Sequence, residues 1–171
     1  MSSFTKLFAA VALAGLVSAP AALAAEAPAA RIVRFNGVLK AVVKSRDPDG
    51  HFRPKGLLTV QADADALLNP GASNAYASVV NSNVDGKGGF IDNVVIHFPR
   101  GDLKLTGVYP THNDITPIAN VRHTVMIEKV AGGSGAFEGA TGYVMLNSTL
   151  TETGEIEGSV NAIVFLAPVK P

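Results

Sequence analysis

Short runs rich in Val, Ile, Thr, Phe and Tyr, separated by clusters of Gly, Pro, Asn and Asp, fill the chain from Arg31 onward. This alternation is typical of β-strands joined by turns, and helical periodicity is scarce. Asn69-Pro70-Gly71 ends the one stretch with helical character, Ala62–Leu68. The pattern therefore predicts an all-β fold of eight strands, namely Ile32–Lys44, Leu57–Gln61, Ala75–Val80, Phe90–Phe98, Leu103–Tyr109, Val121–Val130, Gly142–Leu150 and Ile156–Leu166.

The connections between these strands carry specific turn signals. Lys44–Lys55 is polar and contains Pro48 and Gly50, so we expect a loop there. Thr153-Gly154 lies between two alternating runs and indicates a tight hairpin turn. Pro110–Asn120 contains two prolines and no strand pattern, and we expect it to be the longest well-defined loop.

Eight strands in one domain can form a sandwich or a closed antiparallel barrel, and strand number alone does not choose between them. Two features favour closure. Small and large side chains alternate along the strands, and glycines occur within or beside them, which suits the strong coiling of a small barrel. These glycines are Gly37, Gly107, Gly139, Gly142 and Gly158. An eight-stranded barrel has an interior that is filled by side chains or holds one small ligand.

The N-terminus has the organisation of a secretory signal peptide. Lys6 precedes an apolar run, Leu7–Val17, and the small residues of Ala22-Leu23-Ala24 follow it. The run is too short to span a bilayer, which takes roughly 20 residues, so a retained membrane anchor is the less favoured alternative. We predict a signal peptide over residues 1–24, a flexible leader over 25–30 and a barrel domain over 31–171, exported to the periplasm or the extracellular space.

Composition excludes several kinds of function. The 171 residues carry 14 basic and 14 acidic side chains and no cysteine. A chain without net charge or a basic run lacks the electrostatic signature of nucleic-acid or anionic-membrane binding. Without cysteine there is no disulfide framework and no thiolate metal site, and the four histidines have no metal-ligand spacing. We expect no metal, no cofactor, no nucleic-acid partner and no membrane contact after signal cleavage.

The segment Gly132–Tyr143, with the sequence GGSGAFEGATGY, resembles the signature of the dirigent and allene oxide cyclase families. Val125–Val130 supplies the strand before it, and Thr153-Gly154 and Val160–Phe165 supply the following turn and last strand at similar spacing. The resemblance implies an eight-stranded, calycin-like barrel. Apart from any family, the glycines permit a tight turn or bulge, and we expect Phe137 to plug one end of the barrel.

What the resemblance implies about activity is limited. Dirigent proteins steer the coupling of phenoxy radicals, and allene oxide cyclases fold an unstable fatty-acid epoxide into a ring. Both families use an apolar cavity with a few polar or acidic groups. The upstream half of the chain does not match, so no catalytic residue is carried over. The resemblance also implies a homo-oligomer that buries exterior apolar strand faces.

Five residues are candidates for contact with a ligand. His97 lies two residues after Val95 and His123 two residues before Val125, so both imidazoles could face the barrel interior and act as an acid or base, although a purely structural histidine is the more common case. The other three candidates lie in or just before the Pro-rich loop, where a ligand would be gated, and they are Tyr109, His112 and Asp114.

Four charged residues near strands could be either buried in a cavity or exposed. Burial of such groups in a cavity would indicate function, but simple exposure is the expected explanation for them. They are Asp92, Asp102, Arg122 and Glu128.

We therefore expect an exported barrel that accommodates a small apolar molecule without a recognisable catalytic constellation. The alternative is a dirigent-like or cyclase-like enzyme that steers coupling or ring closure of a reactive substrate. A packed barrel that serves in interaction or assembly is a third interpretation. Tyrosine, histidine or acidic groups converging in a cavity would favour the enzyme, and a purely apolar cavity would favour binding alone.

Overall fold

The computed structural model describes residues 30–48 and 50–168. The predicted signal peptide and leader residues 25–29 lie outside this part of the chain. Within it, no helix has the length and apolar character needed to cross a membrane.

Nine strands and two short 3-10 turns make up the described chain. The strands are β1 (Arg31–Arg46), β2 (Phe52–Val60), β3 (Ser73–Asn81), β4 (Ile91–Phe98), β5 (Gly101–Gly107), β6 (Asp114–Ile115), β7 (Val121–Gly133), β8 (Thr141–Thr151) and β9 (Glu155–Leu166). The 3-10 turns are Ala66–Leu68 and Gly135–Phe137.

The eight long strands form one closed antiparallel barrel. Each strand pairs with its neighbour in sequence from β1 to β5 and from β7 to β9. Pairing of β1 with β9 and of β5 with β7 closes the ring, and the short β6 adds only to the start of β7. Closure removes the free sheet edges that a sandwich would leave, so the predicted barrel is confirmed and the sandwich is excluded.

Several predicted boundaries were wrong. The polar loop Lys44–Lys55 is shorter than expected, because β1 runs to Arg46 and β2 begins at Phe52, with a register shift between Val43 and Arg46. Polar side chains are compatible with strand here because many of them face solvent on the outer surface of the barrel.

Two other segments also differ from expectation. Only Ala66–Leu68 of the helical candidate Ala62–Leu68 is helical, as a single 3-10 turn capped by the Asp65 carboxylate. Loop Pro110–Asn120 contains the two-residue strand β6, and the preceding strand ends at Gly107, not at Tyr109.

Aromatic side chains fill one end of the barrel, here called the closed end. The Phe98 ring lies 5.9 Å from the Phe35 ring and 5.2 Å from the Phe137 ring, measured between centroids. Phe137 is fully buried, as are Leu68 and Leu103. The expectation that Phe137 plugs one end of the barrel is confirmed.

The Gly-rich segment allows this closure because its backbone passes very close to the β4–β5 turn. Gly135 has a φ of 56°, and a Cβ atom there would lie 2.4 Å from the carbonyl oxygen of Arg100. The backbone N–H of Ala136 donates to the same oxygen at 2.9 Å. Only glycine fits this position without displacing the turn.

Candidate functional site

The opposite end of the barrel, here called the open end, contains a small cavity of about 50 Å³. Most of its lining is apolar, from Val43, Phe52, Pro54, Val80, Phe90, Met126, Leu146, Leu150 and Ile156. Its polar lining comes from Tyr76, Ser78, Asp92, Asn113, Thr124 and Ser148. The cavity has room for one or two water molecules as it stands, and a larger ligand would extend toward the mouth of the barrel.

The main chemical feature of this end is a buried pair of carboxyl groups. Asp92 on β4 lines the cavity, and Glu128 on β7 lies beside Asp92. Each of the two residues is only 2% exposed. The two carboxyl groups are close enough for each to shift the pKa of the other. Two adjacent buried carboxylates would repel each other, so at least one of the groups carries a proton.

Burial sets the protonation of this pair. Loss of solvation raises the pKa of Glu128 well above its ordinary range, and the neighbouring Asp92 charge raises it further. Burial also raises the pKa of Asp92, although the neighbouring Glu128 opposes that rise. Both acids therefore resist ionisation, and the pair keeps a proton above the ordinary carboxyl range.

Tyr76 is the third ionisable group of this interior. Its burial, together with the two nearby carboxyl groups, raises the pKa of the phenol well above its ordinary value. Tyr76 therefore stays neutral and can act as a hydrogen-bond donor. The interior thus brings together a phenol, a proton-bearing carboxyl and an ionisable carboxyl in a mainly apolar setting.

Two buried oxygen atoms in this region lack a satisfying partner. Glu128 Oε1 has no hydrogen-bond partner within the described chain. The Ser78 hydroxyl lies near the Tyr76 side chain but makes no hydrogen bond of standard geometry with any described residue. Buried polar atoms are normally satisfied, and a polar cavity with such atoms is a place for water or a ligand.

The loop between β5 and β7 covers part of the open end. The Thr124 hydroxyl donates to the side-chain oxygen of Asn113, which lines the cavity. Thr111 exchanges two backbone hydrogen bonds with Phe90, at 2.8 and 2.9 Å. His112 Nε2 lies 3.0 Å from an Asp85 carboxylate oxygen and ties the loop to the β3–β4 turn.

The expectation that His97 and His123 face the interior was wrong. His97 lies on the outer surface, where its Nδ1 is 2.7 Å from an Asp102 carboxylate oxygen. His123 Nε2 lies 2.8 Å from the Asn147 side-chain oxygen, also on the outside. Both histidines face outward because Val95 and Val125, which share their strand faces, also face outward.

The loop candidates Tyr109, His112 and Asp114 are exposed and do not line the cavity. The loop reaches the cavity through their neighbour Asn113 instead. A ligand contact by any of the five predicted residues stays a prediction.

The expected exposure of Asp92 and Glu128 was also wrong, whereas Arg122 is exposed and Asp102 is partly exposed. The signal that identifies the two buried acids is strand alternation. Asp92 shares the inward face of β4 with Val94 and Ile96, and Glu128 shares that of β7 with Met126 and Val130. The correct choice of which alternate residues face inward on these two strands would have placed both acids inside the barrel.

The outer face of β7, β8, β9 and β1 has an open apolar groove of about 740 Å³. We call this surface the β8–β9 face. Its apolar side chains are Ile127, Tyr143, Met145, Ile163 and Phe165. Tyr143 is 57% exposed and Phe165 is 43% exposed.

Comparison with solved structures identifies the architecture. The structure of a pterocarpan synthase dirigent protein aligns with this chain at a TM-score of 0.51 and 15% sequence identity, covering 80% of this chain and 89% of the other. The chain has a dirigent-like barrel fold. No family model matches the sequence, and no curated protein matches it either.

Proposed function

We propose that this protein is an exported β-barrel that accommodates a small, largely apolar molecule at the open end, with the polar group of that molecule at Asp92. The single observation that carries the proposal is a mainly apolar cavity whose wall includes the buried Asp92 carboxyl and the unpartnered Ser78 hydroxyl. A barrel built only for stability would fill this volume with apolar side chains, since burying carboxyl groups is costly.

The two ends of the barrel support this assignment by their contrast. The closed end is packed with Phe35, Phe98 and Phe137. The open end has the cavity, the buried polar groups and a loop that contacts it through Asn113. Ligands enter barrels at a mouth bordered by loops, and the open end has this organisation.

An NMR titration tests the proposal. A neutral apolar probe, such as 1-butanol or a small aromatic alcohol, is added to the protein while methyl resonances are followed. We expect saturable shifts at the open-end methyl groups of Val80, Leu150 and Ile156, with little change at Leu68 and Leu103 of the closed end. A Ser78→Phe variant, which places a ring in the cavity, should lose the shifts. Uniform or non-saturable changes would contradict the proposal.

A specific observation favours a second candidate, a cyclase-like or coupling-steering enzyme. Asp92 and Glu128 place a proton donor beside a proton acceptor, and Tyr76 adds a neutral phenol. Such a combination can move a proton on a bound substrate while the barrel fixes the geometry of the substrate. The solved neighbour is itself described as a pterocarpan synthase.

Turnover distinguishes the two candidates. A molecule that co-purifies with the protein, or a close analogue of it, is incubated with the wild type and with Asp92→Asn, and the products are separated by chromatography. An enzyme converts the molecule and loses activity in Asp92→Asn while binding persists. A binding protein returns the molecule unchanged in both cases.

A further inference from the structure

The barrel interior contains acids without a counter-charge. The ionisable groups that face the carboxyl pair are Tyr76 from β3 and the two acids themselves, from β4 and β7. Neither β5 nor β8 adds a charged side chain to this face, since their inward residues include Leu105 and Ser148. No lysine, arginine or histidine lines the cavity. Once Asp92 ionises, the described interior has a negative charge and no cation to balance it.

An unbalanced buried charge can be relieved in two ways. The pair can keep both protons, or a ligand can bring a positive charge to the cavity. The second way is favoured by the Ser78 hydroxyl, which lines the cavity with Asp92 and has no hydrogen-bond partner among the described residues, because a cation with N–H donors can donate to it.

The lining also indicates which kind of cation fits. No group of three or more His, Cys, Asp or Glu side chains is gathered for a metal ion within residues 30–48 and 50–168. An ammonium group needs fewer oxygen partners, and its attached carbon chain suits the apolar lining that surrounds Asp92. The aromatic residues Phe52 and Phe90 add to this apolar lining, and the Phe52 ring is already covered by a cation, the Arg46 guanidinium at 4.9 Å from its centroid.

We propose that the molecule accommodated at the open end is a primary amine with a small apolar body, and that its ammonium group binds the Asp92 carboxylate beside Ser78. This inference rests on the proposed binding function and narrows its ligand class. Binding of the ammonium group displaces a proton from the carboxyl pair, because the cation stabilises the ionised form of Asp92.

The test compares n-butylamine with 1-butanol, two probes that differ in their polar head group. Each is titrated into the protein at several pH values while the methyl resonances of Val80, Leu150 and Ile156 are followed. We expect n-butylamine to bind about tenfold tighter or more at mildly alkaline pH, as charge-assisted hydrogen bonds allow. The preference should shrink as the pH falls and the carboxyl pair takes up its second proton.

Matched variants identify the residue that is responsible for the amine preference. Asp92→Asn keeps the size of the side chain and removes its charge, so it should abolish the amine preference while 1-butanol still binds. Glu128→Gln provides a second test if Asp92→Asn fails to fold: it leaves Asp92 as the one acid of the pair, so the amine preference should persist, and its loss would overturn the assignment to Asp92. Asp102→Asn, which changes an exterior carboxylate, should leave both probes unaffected.

The outcomes separate this inference from the proposed function. Equal affinity for the two probes, or an amine preference that survives in Asp92→Asn, would overturn the amine assignment and leave the binding function in place. Failure of both probes to shift the open-end methyl groups would overturn both proposals.

Discussion

Asp92 and Glu128 are neighbours inside the barrel although β5 separates their strands in the wall. Gly107 of β5 is paired with Glu128 in the register between β5 and β7. The two acids therefore face each other across a strand that has no side chain at this position. This buried acid pair provides the ionisable carboxyl groups of the open end.

The first prediction concerns the pH dependence of stability. The pKa of Glu128 is raised in the folded protein, so its contribution is fully present below the ordinary carboxyl range and is lost as the pH rises through the raised pKa. Urea unfolding of the wild type from the ordinary carboxyl range upward should show stability falling as the pH rises toward the raised pKa, with a limiting slope of about 1.4 kcal/mol per pH unit for one proton. Glu128→Gln should flatten this slope. An identical slope in both proteins would mean that the pair does not titrate as described.

The second prediction concerns the aromatic plug. Phe137→Ala removes a fully buried ring at the closed end and should cost about 3–5 kcal/mol of unfolding free energy. The control is Leu57→Ala on the outer surface away from the β8–β9 face, where the side chain is 53% exposed and the loss should be under about 1 kcal/mol. Equilibrium denaturation of both variants measures the difference. Similar losses in the two variants would argue against a plug at Phe137.

The third prediction concerns the Gly-rich segment. Gly135→Ala combines a positive φ with a clash against the Arg100 carbonyl oxygen. Gly86 has a φ of 70° but open space around the position of a Cβ atom, so Gly86→Ala has the backbone strain alone. We expect Gly86→Ala to cost about 1 kcal/mol and Gly135→Ala clearly more. Thermal unfolding of the two variants side by side gives the comparison, and equal shifts would rule out the close approach.

The fourth prediction concerns self-association, which the family resemblance implies. The β8–β9 face is an apolar surface that a monomer would leave in water, and a second copy would cover it. Sedimentation velocity over a range of concentrations should detect an oligomer that Tyr143→Lys weakens. Leu57→Lys, at another exposed apolar position, is the control and should not change the association. A monomer at all concentrations would contradict the prediction.

The strand pattern predicted the all-β class and the eight long strands, and the glycine positions with the family resemblance favoured the closed barrel over the sandwich. Sequence could not locate the ends of β1 and β2, where polar residues continue as strand up to Arg46 and from Phe52. There the outer surface accepts any polar side chain, so composition does not mark the boundary.

The candidate site was harder to predict than the fold. Its parts lie on β3, β4, β7 and a loop, and the contact between Asp92 and Glu128 depends on barrel closure, not on sequence spacing. Charged residues in β-strands usually face solvent, so the sequence favoured exposure of both acids. Alternate residues of β4 and β7 face inward, and which of the two sets does so decides where these side chains lie. The two acids belong to the inward set, and His97 and His123 belong to the outward set.

Native mass spectrometry of the protein, purified gently from its own host and followed by denaturing analysis of what is released, tests whether the open end accommodates a small molecule. We predict that a defined small molecule with an apolar body leaves with the wild type and is absent from Ser78→Phe. A wild-type protein that is empty, and that also fails to bind added hydrophobic probes, would contradict the proposed function and direct the search for function to the outer surface.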